Sequence, residues 1–559
     1  MYGHHMTPRV RSFLLEGIDA KPCEVEIDLD ERSLARETIV GLPDAAVKES
    51  LERVRAAIAN TGYATPAGRL LVNLAPANVR KEGPVYDLPI AVGLLLAAGI
   101  VAPPRPAPAP SIYAAGRPGD EAAEAASAPP PQQGLDHRRL LLAGELALDG
   151  RLRPVRGVIA MAHLARALGM EGVIVPRENA HEAAVIDAIE VHAAGSLAEV
   201  VALLNGSLEP SPQAPVDVAS LIRRTEAEVD FADVKGQESV KRALTVAAAG
   251  GHNLLMIGPA GTGKTMMARA LPGILPPMTP DQALEVSRVY SALGKLTTSD
   301  AGRRAETDDP SAHASGLVTA RPVRAPHHTA SAAAVIGGGV IPRPGEISLA
   351  HRGILFLDEL PEFPRAVLDT LRQPLESGDV TISRAHGSVT FPARFMLIAA
   401  MNPTAKGDQP AGAEGHRAAQ RYLSRVSRPL IDRIDIHVEA PAVPWKHLTR
   451  GAPTGPSTAD LRDRVECARA RQRGRQGERL NAELSGKQLN SFAPLEPDAE
   501  ELLGQAITGL GLSARAYDKI RRVARTIADI DSPGDAGAHA IPVAAVAEAV
   551  QYRTLDRDV

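Results

Sequence analysis

Apolar residues recur along this chain with two different periods, and each change of period marks a structural part. From Cys23 to Leu29 they occupy every second position, the rhythm of a half-buried strand. Val47, Leu51, Val54 and Ile58 recur at helical spacing, with Lys48, Glu49, Glu52 and Arg53 between them, so a helix with one apolar stripe is expected. Leu70–Leu74 reads as another strand, and Leu88–Leu96, apolar all round, as a buried helix. The pattern stops over residues 102–137, where Pro, Ala and small polar residues dominate. Such a composition cannot fill a core, and a disordered insertion is expected. Periodicity resumes at Leu140–Leu146, turns at Asp149-Gly150, and continues through an apolar helix, Val158–Leu168, to a strand, Gly172–Pro176. These elements make a first domain over residues 1–205, followed by a Gly-, Ser- and Pro-containing linker at 206–228.

Beyond the linker the rhythm changes again. Three short, largely apolar runs, at 253–257, 353–357 and 395–400, have the length of strands buried on both faces of a parallel sheet. An α/β core over 229–440 is therefore expected, with a helix at Ser239–Ala249 that Ser239 caps. Two inserts interrupt it. Residues 379–392 alternate around a polar tip and predict a hairpin, with Arg384, His386 and Ser388 near its end. Residues 322–345 carry His327, His328 and the Gly337–Gly339 run. The paired histidines read either as metal ligands or, more simply, as a hydrogen-bonded loop pair. Residues 441–559 are expected to be helical, with Ile520, Val523, Ala524 and Ile527 on one face of a helix that Ser513 caps.

Composition narrows the classes. The 559 residues suffice for three or four domains, and 44% hydrophobic with 23% charged residues is ordinary for a globular protein. A formal net charge of −4 excludes a polycation, so contact with nucleic acid would need a local basic patch. Arg462–Arg479 offers one, with a solvated helix face as the alternative. The two cysteines, Cys23 and Cys467, are far apart, which disfavours a disulfide framework or a zinc site. The chain has no apolar run of spanning length and no signal-peptide core at its start, so a cytoplasmic protein without a membrane association is expected. Met6 is an alternative start.

The chemistry is concentrated in Gly258-Pro259-Ala260-Gly261-Thr262-Gly263-Lys264-Thr265, a complete GxxxxGK[ST] phosphate-binding loop between an apolar strand and a helix that continues from Met266. Its backbone N–H groups would cradle phosphate oxygens at a helix N-terminus. Lys264 would reach the outer phosphates and Thr265 would sit on Mg²⁺, which makes ATP and Mg²⁺ the expected ligands. Downstream, Asp358 and Glu359 emerge at the C-terminal end of an apolar strand, where open α/β sheets bind ligands. Asp358 would complete the Mg²⁺ shell, and Glu359 would act as general base toward the attacking water. Asn402 ends the third strand; an Asn-Pro turn is its plain reading.

These residues carry a resemblance. The segment Phe231–Glu238 is similar to the one that covers adenine in AAA+ ATPases. APHHTAS, IGGG, GEISLAHRGILFLDEL, LIDRIDIHVE and LSARAYDKI resemble the ComM/YifB family of magnesium-chelatase-like AAA+ ATPases over almost the whole chain outside the Pro/Ala insertion. The resemblance implies an AAA+ P-loop core with a helical lid. It assigns Asn402 as the polar sensor beside the γ-phosphate, Arg433 as the finger inserted into a neighbouring subunit's site, and Arg515 as the lid's sensor. A surface ion pair of Arg433 with Asp432 or Asp435 is the alternative. The first domain resembles the α+β Lon-protease-like fold, but Val85 and Ile159 stand where its nucleophile and base would be. Neither aliphatic side chain can do that chemistry, so a peptidase is disfavoured. The family further implies a hexameric ring driving single-stranded or branched DNA, a helicase and branch-migration factor that promotes integration of incoming DNA in natural transformation. A chelatase-like ATPase remodelling a protein partner is the second reading. Cysteines common after the sensor in relatives are missing from Thr404–Gly412 here.

Overall fold

The computed structural model of the chain describes residues 7–34, 36–102, 134–296, 316–339, 342–384, 387–404, 412–443, 455–532 and 540–553. Residues 103–133 of the Pro/Ala insertion, His386 and most of the Thr404–Gly412 segment lie outside these residues; the end of the insertion is ordered, with His137 buried in the short turn His137–Arg139. The chain forms two compact units, one of residues 1–221 with 283–319 and one of residues 222–282 with 320–559. The boundary at Leu221/Ile222 falls inside the expected linker. Residues 283–296 and 316–319, although they follow the phosphate-binding loop in sequence, belong to the first unit.

The first unit is built on a four-stranded sheet. Arg9–Glu16, Asp19–Asp30 and Arg69–Ala75 pair antiparallel, and Arg36–Val40 adds a parallel edge. Val25 and Ile27 face inward, as the alternation at Cys23–Leu29 required. The helix Ala45–Asn60 starts at Asp44, whose carboxylate accepts from Val47 N at 2.8 Å, and buries Val47, Leu51, Val54 and Ile58. Asp87–Ala97 is buried on nearly every side. A second, parallel sheet is formed by Leu140–Leu142, Gly172–Pro176 and Glu190–Ala194. Glu182 is buried in this unit. Its carboxylate accepts from Ser291, on the helix Pro280–Ala292, and from Asn179 at 2.8 Å. Val85 lies on the short turn Pro84–Tyr86, and Ile159 is buried in the helix Val158–Ala167.

The second unit holds a five-stranded sheet in the order Val323–Arg324, Ile354–Leu357, Met396–Met401, Leu254–Ile257, Ile436–Glu439, every pair parallel. The four residues Ile354–Leu357 and the six Met396–Met401 are all buried, because helices cover both faces. The helix Glu238–Gly250 begins one residue earlier than expected. Its N-cap is Gln237, at φ 59, rather than Ser239, and no side chain caps it.

The expected hairpin is present as Asp379–Arg384 paired with Gly387–Pro392. Val380, Ile382 and Phe391 are buried, whereas Thr381 meets Thr390 at 3.0 Å and Ser383 meets Ser388 at 2.9 Å on the exposed face. The C-terminal part is helical: Thr458–Gln476, Gly486–Phe492, Pro497–Leu510, Ala514–Asp531 and Val543–Gln551. Ser513 caps the fourth of these through Ala516 N.

The basic run at Arg462–Arg479 is divided: Asp463, Arg464, Arg473 and Arg479 are exposed, as the solvated-face alternative expects, while other arginines turn inward. Arg462 donates to Gly273 O at 2.8 Å, Arg469 to Ala248 O at 2.7 Å, and Arg475 to both oxygens of Asp529 at 2.8 Å. These guanidiniums tie the helix to the sheet's covering layer. Arg475 and Asp529 are both almost wholly buried.

Candidate functional site

The strand order places the site. Met396–Met401 lies between the strand before the phosphate-binding loop and the strand before the two acids, in register so that Met401 sits beside Ile257 and Ala399 beside Leu357. All three strands end on the same side, and Gly258, Asp358 and Asn402 leave them together. That is where parallel α/β sheets bind ligands. Gly258 N donates to Met401 O, and Ala440 N to Ile257 O, so the loop is held from both flanks as it starts. Gly258 has no room for a side chain, since a Cβ would come 2.2 Å from Ala440 O. Gly263, at φ 86, makes the left-handed turn into the helix Lys264–Ala270. Ala260 and Gly261 lie exposed at the crown, and Met266 faces out at 42% exposure.

The expected site residues meet through two sets of hydrogen bonds, one around Lys264 and one around Asp358. Lys264 Nζ donates to Gly258 O at 2.7 Å, Pro259 O at 2.8 Å and Asn402 Oδ1 at 3.2 Å. Burial pushes the Lys264 amine below its ordinary value, and the Asp358 charge opposes that. Thr265 Oγ1 donates to Asp358 Oδ2 at 2.7 Å, while Asp358 Oδ1 accepts from Glu359 N at 2.9 Å. A threonine hydroxyl beside a carboxylate is the hard oxygen donor set that suits Mg²⁺. Thr262 Oγ1 returns to Pro259 O at 3.0 Å and stiffens the loop.

Glu359 has an unusual backbone, with φ 52, a left-handed conformation that non-glycine residues seldom adopt and that clusters at functional sites. Its Oε2 lies 3.2 Å from Nδ1 of His328.

Arg433 does not pair with Asp432 or Asp435. It bonds Glu376, and its Nη1 donates to Pro429 O at 2.6 Å. The Glu376 carboxyl is held below the usual range first by its bond to Arg433, with Arg515 and Arg372 adding to the positive field. Arg515 is exposed in the first turn of the helix Ala514–Asp531. Two residues beyond Arg433, Asp435 is buried against Lys519, 2.9 Å away, and accepts from Asn253 N at 3.0 Å.

Sequence reading missed three contributors. Gln237 reaches from the segment Phe231–Glu238 to Thr262 O at 3.2 Å and Pro441 O at 2.6 Å. Glu376 and His328 are the others. His328 belonged to a noticed pair, but nothing in the sequence linked it to an acid 31 residues away.

Comparison with known proteins agrees with this layout. The family described as magnesium chelatase, subunit ChlI, matches residues 230–448, its C-terminal family matches 455–553, and a further ChlI family matches 25–106 and 126–179. The chain is 42% identical to the uncharacterized protein YifB of Salmonella typhimurium over 97% of its own length and 96% of the relative's. It is 40% identical to the competence protein ComM of Haemophilus influenzae, with the same shares covered. The magnesium-chelatase 38 kDa subunit of Cereibacter sphaeroides is 28% identical over 43% of this chain and 72% of its own. Identity of 40–42% to YifB and ComM over nearly the full length of both chains, with the ChlI family matches, makes this chain a member of the ComM/YifB family of magnesium-chelatase-like AAA+ proteins.

Proposed function

We propose that the protein is an ATP-hydrolysing motor that acts on DNA as a ring of like subunits, a hexamer by family resemblance. The observation that carries the ATPase part is the hydrogen-bonded convergence of Lys264 with Asn402 and of Thr265 with Asp358 at the ends of adjacent strands. In this reading the loop from Gly258 to Met266 binds the triphosphate and Lys264 neutralises its outer phosphates. Thr265 and Asp358 hold Mg²⁺, which when bound supplies charge neutralisation of the phosphate oxygens. Glu359 accepts a proton from the attacking water, and Asn402 fixes Lys264 and the water relative to each other.

Arg433, once released from Glu376, would reach a neighbour's nucleotide, where a guanidinium stabilises charge on the transferring phosphoryl group, and Arg515 would act as the sensor on its helix. The hairpin Asp379–Pro392 and the insert before it reach into the ring's channel. The name of the Haemophilus relative, a competence protein, favours DNA taken up in natural transformation as the substrate, with helicase and branch-migration activity as the work done.

Remodelling of a protein partner is the second reading, favoured by the match to the chelatase subunit. ATP turnover measured with and without single-stranded DNA, followed by unwinding of branched DNA, separates the two. Stimulation that weakens with salt supports the DNA motor, and no stimulation with no binding moves the assignment to a protein partner. Glu359→Gln should keep nucleotide binding and lose turnover.

A further inference from the structure

The ion pair between Glu376 and Arg433 joins two parts of the second unit that otherwise serve different ends. Glu376 lies on the short helix Arg372–Ser377, just before the hairpin's first strand, Asp379–Arg384. Nothing loose separates helix from hairpin. Ser377 Oγ donates to Asp379 Oδ1 at 2.9 Å, and Ala393 N, just past the second strand, donates to Gly378 O at 2.8 Å. The helix end and the hairpin root are therefore one piece, and a displacement of the hairpin carries Glu376 with it. The hairpin's far end carries the exposed Arg384, the group that a DNA phosphate would meet.

Arg433 is placed from the other side. Its N–H closes a turn onto Leu430 O at 2.9 Å, and Asp435 N donates to Asn253 O at 3.0 Å where the chain enters the sheet. The backbone is fixed to the core, and the side chain is turned back on its own subunit. Nη1 is taken by Pro429 O at 2.6 Å and Nη2 by Glu376, while Nε is buried with no partner among the described residues. The Arg433 side chain is only 12% exposed, against 55% for Glu376. A guanidinium opposed at contact by a carboxylate cannot at the same time serve a phosphoryl group on another chain. An ion pair half open to water contributes little to stability, so the fold does not require this one.

We propose that Glu376 is a positioning residue that couples the hairpin to the finger. With the hairpin at rest it holds the Arg433 guanidinium back. Displacement of the hairpin by single-stranded DNA withdraws the carboxylate, and the guanidinium becomes available to the neighbouring subunit's nucleotide. This rests on the readings of Arg433 as a finger and of the hairpin as a channel element. The exchange leaves no charge stranded, because water reaches Glu376 and the positive field of Arg515 and Arg372 remains around it. The pair lies within one subunit but acts on a residue that works on the next, so the hairpin of one protomer sets the rate at its neighbour's site.

The test is steady-state ATP turnover of the assembled full chain, with and without a single-stranded oligonucleotide, for Glu376→Ala, Arg433→Ala and the double variant. Glu376→Ala should raise unstimulated kcat about threefold or more with KM unchanged, and bring the ratio of stimulated to unstimulated rate toward one. Because the effect runs through Arg433, the double variant should be as inactive as Arg433→Ala alone. A fall or no change in unstimulated kcat for Glu376→Ala overturns the inference. So does a stimulation ratio as large as the parent's, or a double variant more active than Arg433→Ala. Should Glu376→Ala fail to assemble, as judged by sedimentation, Glu376→Gln, whose amide oxygen accepts without the charge, is read by the same rule. Retained turnover in Arg433→Ala would instead remove the finger reading itself. An inactive Arg433→Ala beside an unchanged Glu376→Ala would remove only the coupling.

Discussion

Lys519→Met tests how the C-terminal helix Ala514–Asp531 is fixed to the sheet. Lys519 and Asp435 are both about nine-tenths buried, and their charges face each other at 2.9 Å. Burial opposes ionisation of Asp435, yet the Lys519 ammonium, with a lesser contribution from His252, holds its carboxyl well below the ordinary range. Replacing the lysine leaves a buried carboxylate with the Asn253 N–H at 3.0 Å as its remaining close donor. Breaking a buried pair in this way costs about 3–5 kcal/mol. The retained N–H places the expected loss near the lower end, about 3 kcal/mol.

In a unit of about 300 residues that is a fall of about 5 °C in the melting midpoint. Lys519→Met with Asp435→Asn should recover most of it, because no stranded charge remains. The acid limb gives an independent reading. The folded pKa of Asp435 is depressed, so the stabilisation is present above the unfolded value of about 3.9 and is lost as pH falls below it. That limb should flatten in Asp435→Asn. Thermal melts followed by circular dichroism across a pH series measure both effects. A single variant within about 1 kcal/mol of the parent, or a double variant as unstable as the single, would refute the reasoning.

Other outcomes follow from the same geometry. Gly258→Ala drives a Cβ to 2.2 Å from Ala440 O and should cost about 1–3 kcal/mol of local strain, seen as at least a tenfold loss of ATP affinity by titration calorimetry. In Glu182, burial raises the carboxyl's pKa against the bonds from Ser291 and Asn179. The folded state therefore holds its proton more tightly than the unfolded chain. Stability contributed there falls as pH rises above about 4.3, and Glu182→Gln should flatten that slope; an unchanged slope in melts from pH 4 to 8 would exclude the assignment. Arg433→Ala should abolish turnover in assembled rings while leaving ATP binding intact. Mixing it with Lys264→Ala chains should restore part of the activity if the guanidinium serves the neighbour's site, and none if it serves its own.

The sequence by itself determined the local chemistry: a loop whose glycines and lysine have one well-known use, two acids at the end of an apolar run, and the helical stripe at Val47–Ile58. Each is decided within a few residues, by backbone freedom or by period, and so is legible without the fold. What only the tertiary structure decided is which distant groups meet. Asn402 reaches Lys264 because its strand is inserted between two others. Arg433 bonds Glu376, and Arg462, Arg469 and Arg475 turn inward to carbonyls and Asp529 while Arg464, Arg473 and Arg479 stay exposed. His328 finds Glu359 across a turn. Pairings of this kind depend on strand order and on the packing of loops, which sum over the whole chain and leave no periodic trace in it.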